Sequence, residues 1–331
     1  MTNTILLIIL GLAMIIIGAN FLVEGSSRIA TRFGISDIVI GMTIVAIGTS
    51  APELVVSFLG AMKGSVGLSV GNILGSNICN ILLIIGLSSI IYPMTVTRIN
   101  VNRDMQFLLL STVVLILVSL DAQIETLTID DQMSGNVISR TEGIILLLFF
   151  LVFLFYSIAS AKRHEEATRG TDTGEEEKPV VKKNFLVSLI MFLGGLAVLI
   201  WGGNILVDNA TTLARAKGVS DTLIGATIIA IGTSLPELAA SVMAACRRKV
   251  GIAIGNVIGS NIFNVFLILG GCATVKQLPL ASVNHVHFIF LLLATLLFLV
   301  SARTSFKIRR IEGLMLFALY ILYIIVTISL A

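Results

Sequence analysis

The chain has 331 residues, of which 56% are hydrophobic and 12% charged, with a formal net charge of +3 and a mean hydropathy of +1.03. That composition excludes a set of water-soluble domains, and so small and scattered a charge offers nothing to a nucleic acid. It describes a chain whose solvent is lipid.

Met1 to Asn3 carry no Lys or Arg ahead of the first apolar run, so the basic leader of a secretory signal is missing and the run is expected to persist as a helix. A hydrocarbon core needs roughly 18 to 20 apolar residues per crossing. Cut at charges and turn residues, the sequence predicts ten spans, at about 4–27, 36–62, 67–92, 104–121, 142–161, 185–213, 220–245, 250–274, 284–302 and 309–330. The predicted fold is an all-α integral membrane protein with five spans in residues 1–161 and five in 185–331. The polar stretch 162–184, with Glu175, Glu176 and Glu177 among charges of both signs, reads as a linker too short to fold alone. Of the 22 Lys and Arg residues, 17 fall with the loops at Arg28/Arg32, Arg98/Arg103, Lys162 to Lys183, Arg247 to Lys249 and Arg303 to Arg310. The positive-inside tendency makes that side cytoplasmic and leaves both termini outside a cell membrane, with Asp121 to Arg140 facing outward. Cys79, Cys246 and Cys272 are odd in number, widely spaced and within predicted spans, which suits packing better than a disulfide framework. His164 is expected in a solvated loop, and His285 and His287 at a surface.

Shifted by 184 residues, positions 18–86 align with 202–270 without a gap, and about half of the pairs are identical. The densest matches set Ile47-Gly-Thr-Ser-Ala-Pro-Glu53 against Ile231-Gly-Thr-Ser-Leu-Pro-Glu237, and Gly71-Asn-Ile-Leu-Gly-Ser-Asn-Ile-Cys-Asn80 against Gly255-Asn-Val-Ile-Gly-Ser-Asn-Ile-Phe-Asn264. An odd number of spans in each half requires the second copy to enter the bilayer from the opposite side. Two inverted five-helix repeats, interrupted at matching positions, point to a secondary transporter with its site near the midplane. Pro52 and Pro236 cannot donate to the carbonyls of Gly48 and Gly232, so each motif should break its helix. Carbonyls freed at membrane depth need a cation, water or another donor.

A glutamate at the centre of a membrane helix costs about 2.5 kcal/mol or more, so Glu53 and Glu237 at equivalent positions demand a positive partner. Neither 37–62 nor 220–246 contains a basic residue that could be that partner in its own segment. On a helix, Thr49 and Ser50 share a face with Glu53, and Thr233 and Ser234 share one with Glu237. Asn72, Ser76 and Asn80 recur every four residues, as do Asn256, Ser260 and Asn264. Such an all-oxygen set suits a hard cation, and two carboxylates balance one Ca²⁺. Emptied, the site would leave two anions facing each other in a low dielectric, so an unloaded carrier should resist crossing between its inward and outward forms. The recurring glycines Gly41, Gly71, Gly75, Gly86, Gly225, Gly255, Gly259 and Gly270 read as places where helices approach closely. Glu24 and Asp208 also correspond in the repeat and could border an ion vestibule or sit in an interface.

At the paired GTSxPE and GNxxGSNxxN segments the chain resembles the sodium/calcium exchanger family of the cation/calcium antiporter superfamily, across essentially all ten spans. The resemblance implies four ion positions among the second, third, seventh and eighth helices, with Glu53 and Glu237 as ligands shared by calcium and sodium. It also implies side-chain ligands at Thr49, Ser50, Ser76, Asn80, Thr233, Ser234 and Ser260, backbone carbonyls at Ala46, Thr49, Ala230 and Thr233, and long first and sixth helices that slide to alternate access. Asn264 stands in the remaining ligand position, where many members carry Asp, so the sodium stoichiometry is left open. Proton-coupled calcium exchangers resemble the chain in that Asn but typically carry GNxPE instead of GTSxPE. The implied ligands are Ca²⁺ and Na⁺ as cargo, with no prosthetic group, no obligate protein partner and no enzymatic activity. Proton coupling, and a channel using the same oxygens, are the alternatives.

Overall fold

The computed structural model describes residues 2–64, 66–98, 100–121, 136–170, 184–217, 230–280 and 284–330. They form helices α1 (Thr2–Phe33), α2 (Asp37–Thr49), α3 (Ala51–Met62), α4 (Ser69–Ile91), α5 (Val101–Ser119), α6 (Arg140–Gly170), α7 (Phe185–Ala216), the short α8 (Ala230–Thr233), α9 (Leu235–Cys246), α10 (Val250–Val275), α11 (His285–Ser305) and α12 (Arg310–Leu330). Four two-residue strands join them: β1 (Met94–Thr95), β2 (Val137–Ile138), β3 (Leu278–Pro279) and β4 (Lys307–Ile308). Among the described residues eight helices are long and apolar enough to cross a membrane, and nine if the broken pair α2 and α3 is one span. The predicted seventh span is represented by α8 and α9, because 218–229 lie outside the described residues. Helix α6 runs to Gly170, past the predicted end at 161, and the rest of the linker is likewise outside them.

The chain is a multi-pass membrane protein, and its surface has the chemistry of one. Ile5, Leu6, Ile9, Ile16, Leu148, Phe155, Trp201, Ile289 and Ile311 are all exposed, an apolar area that water would not tolerate on this scale. In α4 and α10, by contrast, 83% and 94% of the most apolar window is buried, against 22–39% for the other long helices. These two helices are the inner ones, and they carry the GNxxGSNxxN motifs.

The elements repeat at the sequence offset. Helices α3 and α9, the breaks before them, the wide i→i+5 turns at Cys79–Ile85 and Phe263–Leu269, and strands β1 and β3 all stand 184 residues apart. The starts of α5 and α11 keep the offset of 184, and beyond these helices it becomes 170, relating β2 to β4 and the start of α6 to that of α12. The sequence alignment alone did not reach those last elements. Both helices begin with a glutamate reaching back to the backbone: the Glu142 carboxylate accepts from the Ser139 N–H (2.7 Å), and Glu312 accepts from the Arg309 N–H.

The helices fall into two compact units, Met1–Thr49 with Leu154–Gly259, and Ser50–Phe153 with Ser260–Ala331. Each draws on both sequence halves. In the first, α1 and α7 lie antiparallel along a seam of small residues seven apart. A Cβ on Gly18 would stand 2.5 Å from the Leu199 nitrogen, and one on Gly195 2.5 Å from that of Leu22, with Gly11 meeting Gly202 and Gly25 meeting Ser188 further along. Glu24 sits at the end of this seam, bonded to Arg28 and Arg247 at 2.8 Å each, which assigns it an interface role. In the second unit, β1 pairs with β4 and β2 with β3, antiparallel, and the flanking bonds Val96 N–H to Phe306 C=O and Leu280 N–H to Asn136 C=O are both 2.9 Å. Gly86 against Gly313 and Gly270 against Gly143 bring helices together in the same paired fashion. Phe149, Phe153, Phe263 and Phe266 fill the space between α6 and α10 with ring contacts at 5.4 and 6.3 Å. His287 is part-buried and bonded to Tyr323 (3.0 Å), a correction to its expected surface placement. Cys246 ends α9 exposed, while Cys79 and Cys272 are buried.

Candidate ion-binding site

Both GTSxPE motifs break the helix where the proline requires it. Helix α2 ends at Thr49, Ser50 takes φ −80° and ψ 7°, and α3 restarts with Pro52 in its first turn. In the second copy Ser234 takes φ −87° and ψ 6°, and α9 restarts with Pro236 placed likewise. A proline lacks the N–H that the first turn would leave unbonded in any case, so the position fits it. The restart puts Glu53 and Glu237 in the first turn of a helix, where the positive end of the helix dipole favours a carboxylate. Both glutamates are buried, at 1% and 0% exposure. The helix termini thus reduce, without removing, the cost of two charges out of water. Gly48 and Gly232 leave room for neighbours from α7: the Leu196 and Val207 side chains would stand 2.9 and 2.6 Å from an added Cβ.

In the first unit, Ala46, Thr49, Ser234 and Glu237 are buried and Thr233 is half-buried, while Ala230 opens α8. Asn256 gathers part of this set. Thr49 Oγ1 donates to its Oδ1 (3.1 Å), and its Nδ2 donates to the Glu237 carbonyl (3.4 Å) and to Ser241 Oγ (3.0 Å). In the second unit, Asn72 Nδ2 donates to Ser57 Oγ (3.1 Å), the repeat-equivalent of the Asn256–Ser241 bond. Each copy therefore ties the helix bearing its glutamate to the helix bearing its asparagines with the same bond.

Ser50, Glu53, Ser76, Asn80, Ser260 and Asn264 all belong to the second unit and are all buried, at 3% exposure or less. Asn80 and Asn264 sit within the wide turns Cys79–Ile85 and Phe263–Leu269, an irregularity found in helices chiefly at functional sites. Asn80 Oδ1, Asn264 Oδ1 and Ser260 Oγ are buried with no hydrogen-bond partner among the described residues. A buried polar atom left that way costs about 1 to 3 kcal/mol, and oxygens are the donors a hard cation takes. The residues present fit an oxygen-coordinated cation. No group of three or more His, Cys, Asp or Glu gathers among the described residues, so soft-metal chemistry has no scaffold there. Sequence reasoning set aside Asn77, Ser57 and Ser241 and placed Asn256 on a polar face without the holding role it has here; the duplicated SN and the serine four residues after each glutamate were the available signals.

Buried oxygens on broken, duplicated helices of a multi-pass membrane protein define an ion-transport protein. The family model described as "Sodium/calcium exchanger protein" matches residues 3–159 and 187–329. The chain is 35% identical over 320 residues to the putative antiporter CaxA of Alkalimonas amylolytica, covering 96% of each chain. It is 31% identical to the sodium/calcium exchanger MaX1 of Methanosarcina acetivorans over 98% of each. Among solved structures it resembles the sodium-calcium exchanger NCX_Mj soaked with 10 mM Na⁺ and zero Ca²⁺, with a TM-score of 0.81, 34% identity and 97% coverage of both chains. The chain belongs to the sodium/calcium exchanger family.

Proposed function

We propose that this protein exchanges calcium for sodium by alternating access, at one site near the membrane midplane to which Glu53 and Glu237 both contribute. The observation that carries the reading is the placement of these two glutamates, each buried in the first turn of a helix that restarts at a break, 184 residues apart in a duplicated chain. Thr49, Ser50, Ser76, Asn80, Thr233, Ser234, Ser260 and Asn264, with the carbonyls of Ala46, Thr49, Ala230 and Thr233, complete the oxygen set. Calcium wants about six to eight oxygens including carboxylates, and sodium can occupy the same ligands with less charge. Loaded, the two carboxylates are neutralised; empty, they repel in a low dielectric, so exchange is obligatory.

The reading includes ten crossings in two inverted five-helix repeats, and the strand pairing supports it. Strands that pair lie on the same side of the membrane, so an even number of crossings separates β2 from β3. Helices α6, α7 and α10 supply three, and on this reading the segment containing α8 and α9 supplies the fourth. With the positive-inside tendency, β1 and β4 are cytoplasmic and both termini extracytoplasmic in the cell membrane. The coupling ion is tested with purified protein in sealed vesicles. An outward sodium gradient is expected to drive radioactive calcium uptake, and a proton gradient of equal size is expected to drive none. Uptake driven by protons alone would replace this reading with proton-coupled exchange.

A further inference from the structure

In the second unit the side chain of Asn77 stands between the backbone of Asn261 and the side chain of Asn264. Asn77 Nδ2 donates to the backbone carbonyl of Asn261 (3.5 Å). A carbonyl only accepts, so the amide of Asn77 must turn its nitrogen that way and its Oδ1 the other way. That Oδ1 accepts from Asn264 Nδ2 at 2.9 Å. The nitrogen of Asn264 is thereby committed, and its Oδ1 is left buried with no hydrogen-bond partner among the described residues. An amide presents an acceptor on one side and two donors on the other, and the two ends are nearly equal in size. Only the oxygen end attracts a cation. An amide free to flip would present N–H groups to the ion for part of the time.

We propose that Asn77 is a positioning residue that fixes the amide of Asn264 with its oxygen toward the transported cation. The inference rests on the proposed ion site, of which Asn264 is a member. The repeat does not force this bond: Asn261, which corresponds to Asn77, has both of its side-chain amide atoms buried without a hydrogen-bond partner among the described residues, and Asn80 Oδ1 is in the same condition. One copy's asparagine is held and the other's is not, so the device is specific to Asn264 in this conformation. It also explains why a neutral residue serves there. A carboxylate offers oxygen in either orientation and needs no such clamp, whereas an amide does.

The test is equilibrium binding of radioactive calcium to the purified full chain, with thermal melting of the same samples. Asn77→Leu is expected to weaken calcium binding about tenfold, the effect of one buried hydrogen bond. Made in an Asn264→Asp background, the same substitution is expected to change affinity less than about twofold, because both carboxylate oxygens are acceptors. If Asn77→Leu gives no folded protein, Asn77→Ser takes its place with the same expectations. An equal loss in both backgrounds would reduce Asn77 to a packing role and overturn the proposal. So would unchanged affinity in Asn77→Leu where Asn264→Leu weakens binding. Unchanged affinity in Asn264→Leu itself would remove Asn264 from the ion site, and the failure would then belong to the site and not to the clamp.

Discussion

Glu53→Gln and Glu237→Gln are each expected to abolish sodium-driven calcium uptake while leaving the protein folded. Glutamine keeps the volume and one carbonyl oxygen, so packing around the first turns of α3 and α9 survives. What is lost is one of two charges that balance a divalent ion. Removing one partner of a buried charge pair typically costs about 3 to 5 kcal/mol, a hundredfold or more in affinity. The apo protein moves the other way, since a buried carboxylate is costly and a neutral amide less so. The melting temperature without calcium is therefore expected to hold or rise, and the stabilisation that added calcium gives the wild type is expected to vanish. The repeat adds a sharper expectation: because both glutamates occupy the same place in their copies, the two variants should fail alike. One variant that retained near-normal uptake would show that only one copy supplies the site.

The second large effect concerns the seam between α1 and α7. Gly18→Leu and Gly195→Leu are each expected to yield no monodisperse folded protein in detergent. The obstacle is backbone, since the Cβ alone would stand 2.5 Å from the nitrogen of Leu199 or Leu22, and two helices of 32 residues would have to part along their length. Small residues are what allow membrane helices to pack this closely where no hydrophobic effect drives them together. Gly194→Leu is the control. It is next in sequence, but no described atom stands within 4 Å of its added Cβ, and size-exclusion profiles of that variant are expected to match the wild type. Aggregation of the Gly194 variant as well would show that a leucine off the seam is just as harmful, and would remove the close approach of α1 and α7 as the cause.

Much of this was legible in the sequence, for physical reasons that can be named. Lipid imposes helices, so apolar length found the spans; proline removes an N–H, so Pro52 and Pro236 located both breaks; the shift of 184 residues matched 18–86 with 202–270 and so located both broken helices and both asparagine motifs. The ends of the repeat were not legible, because α6 and α12 diverge wherever lipid accepts any apolar side chain, and the change of offset from 184 to 170 hides the match. Asn77 was missed for a different reason, and Asn256, though placed on the polar face, was not seen to hold Thr49 and Ser241. A face drawn at every fourth residue selects Asn72, Ser76 and Asn80, but Asn77 lies off that face and acts on another helix, and the long-range partner of an amide has no signature in local spacing. The role of Glu24 likewise required knowing that Arg247, more than two hundred residues away in sequence, reaches its carboxylate. The wide turns around Asn80 and Asn264 were also invisible, since nothing in Cys79–Ile85 or Phe263–Leu269 departs from an ordinary apolar helix in composition.

The central claim is that one cation is shared by two glutamates from opposite copies. Its most direct test is a crystal structure of the protein grown with strontium, located by anomalous scattering. One strong peak is expected, with a carboxylate oxygen of Glu53 and one of Glu237 both within about 2.3 to 2.6 Å of the calcium-like ion, or slightly more for its larger radius. A peak held by one glutamate alone, or two separate peaks each with its own glutamate, would contradict it.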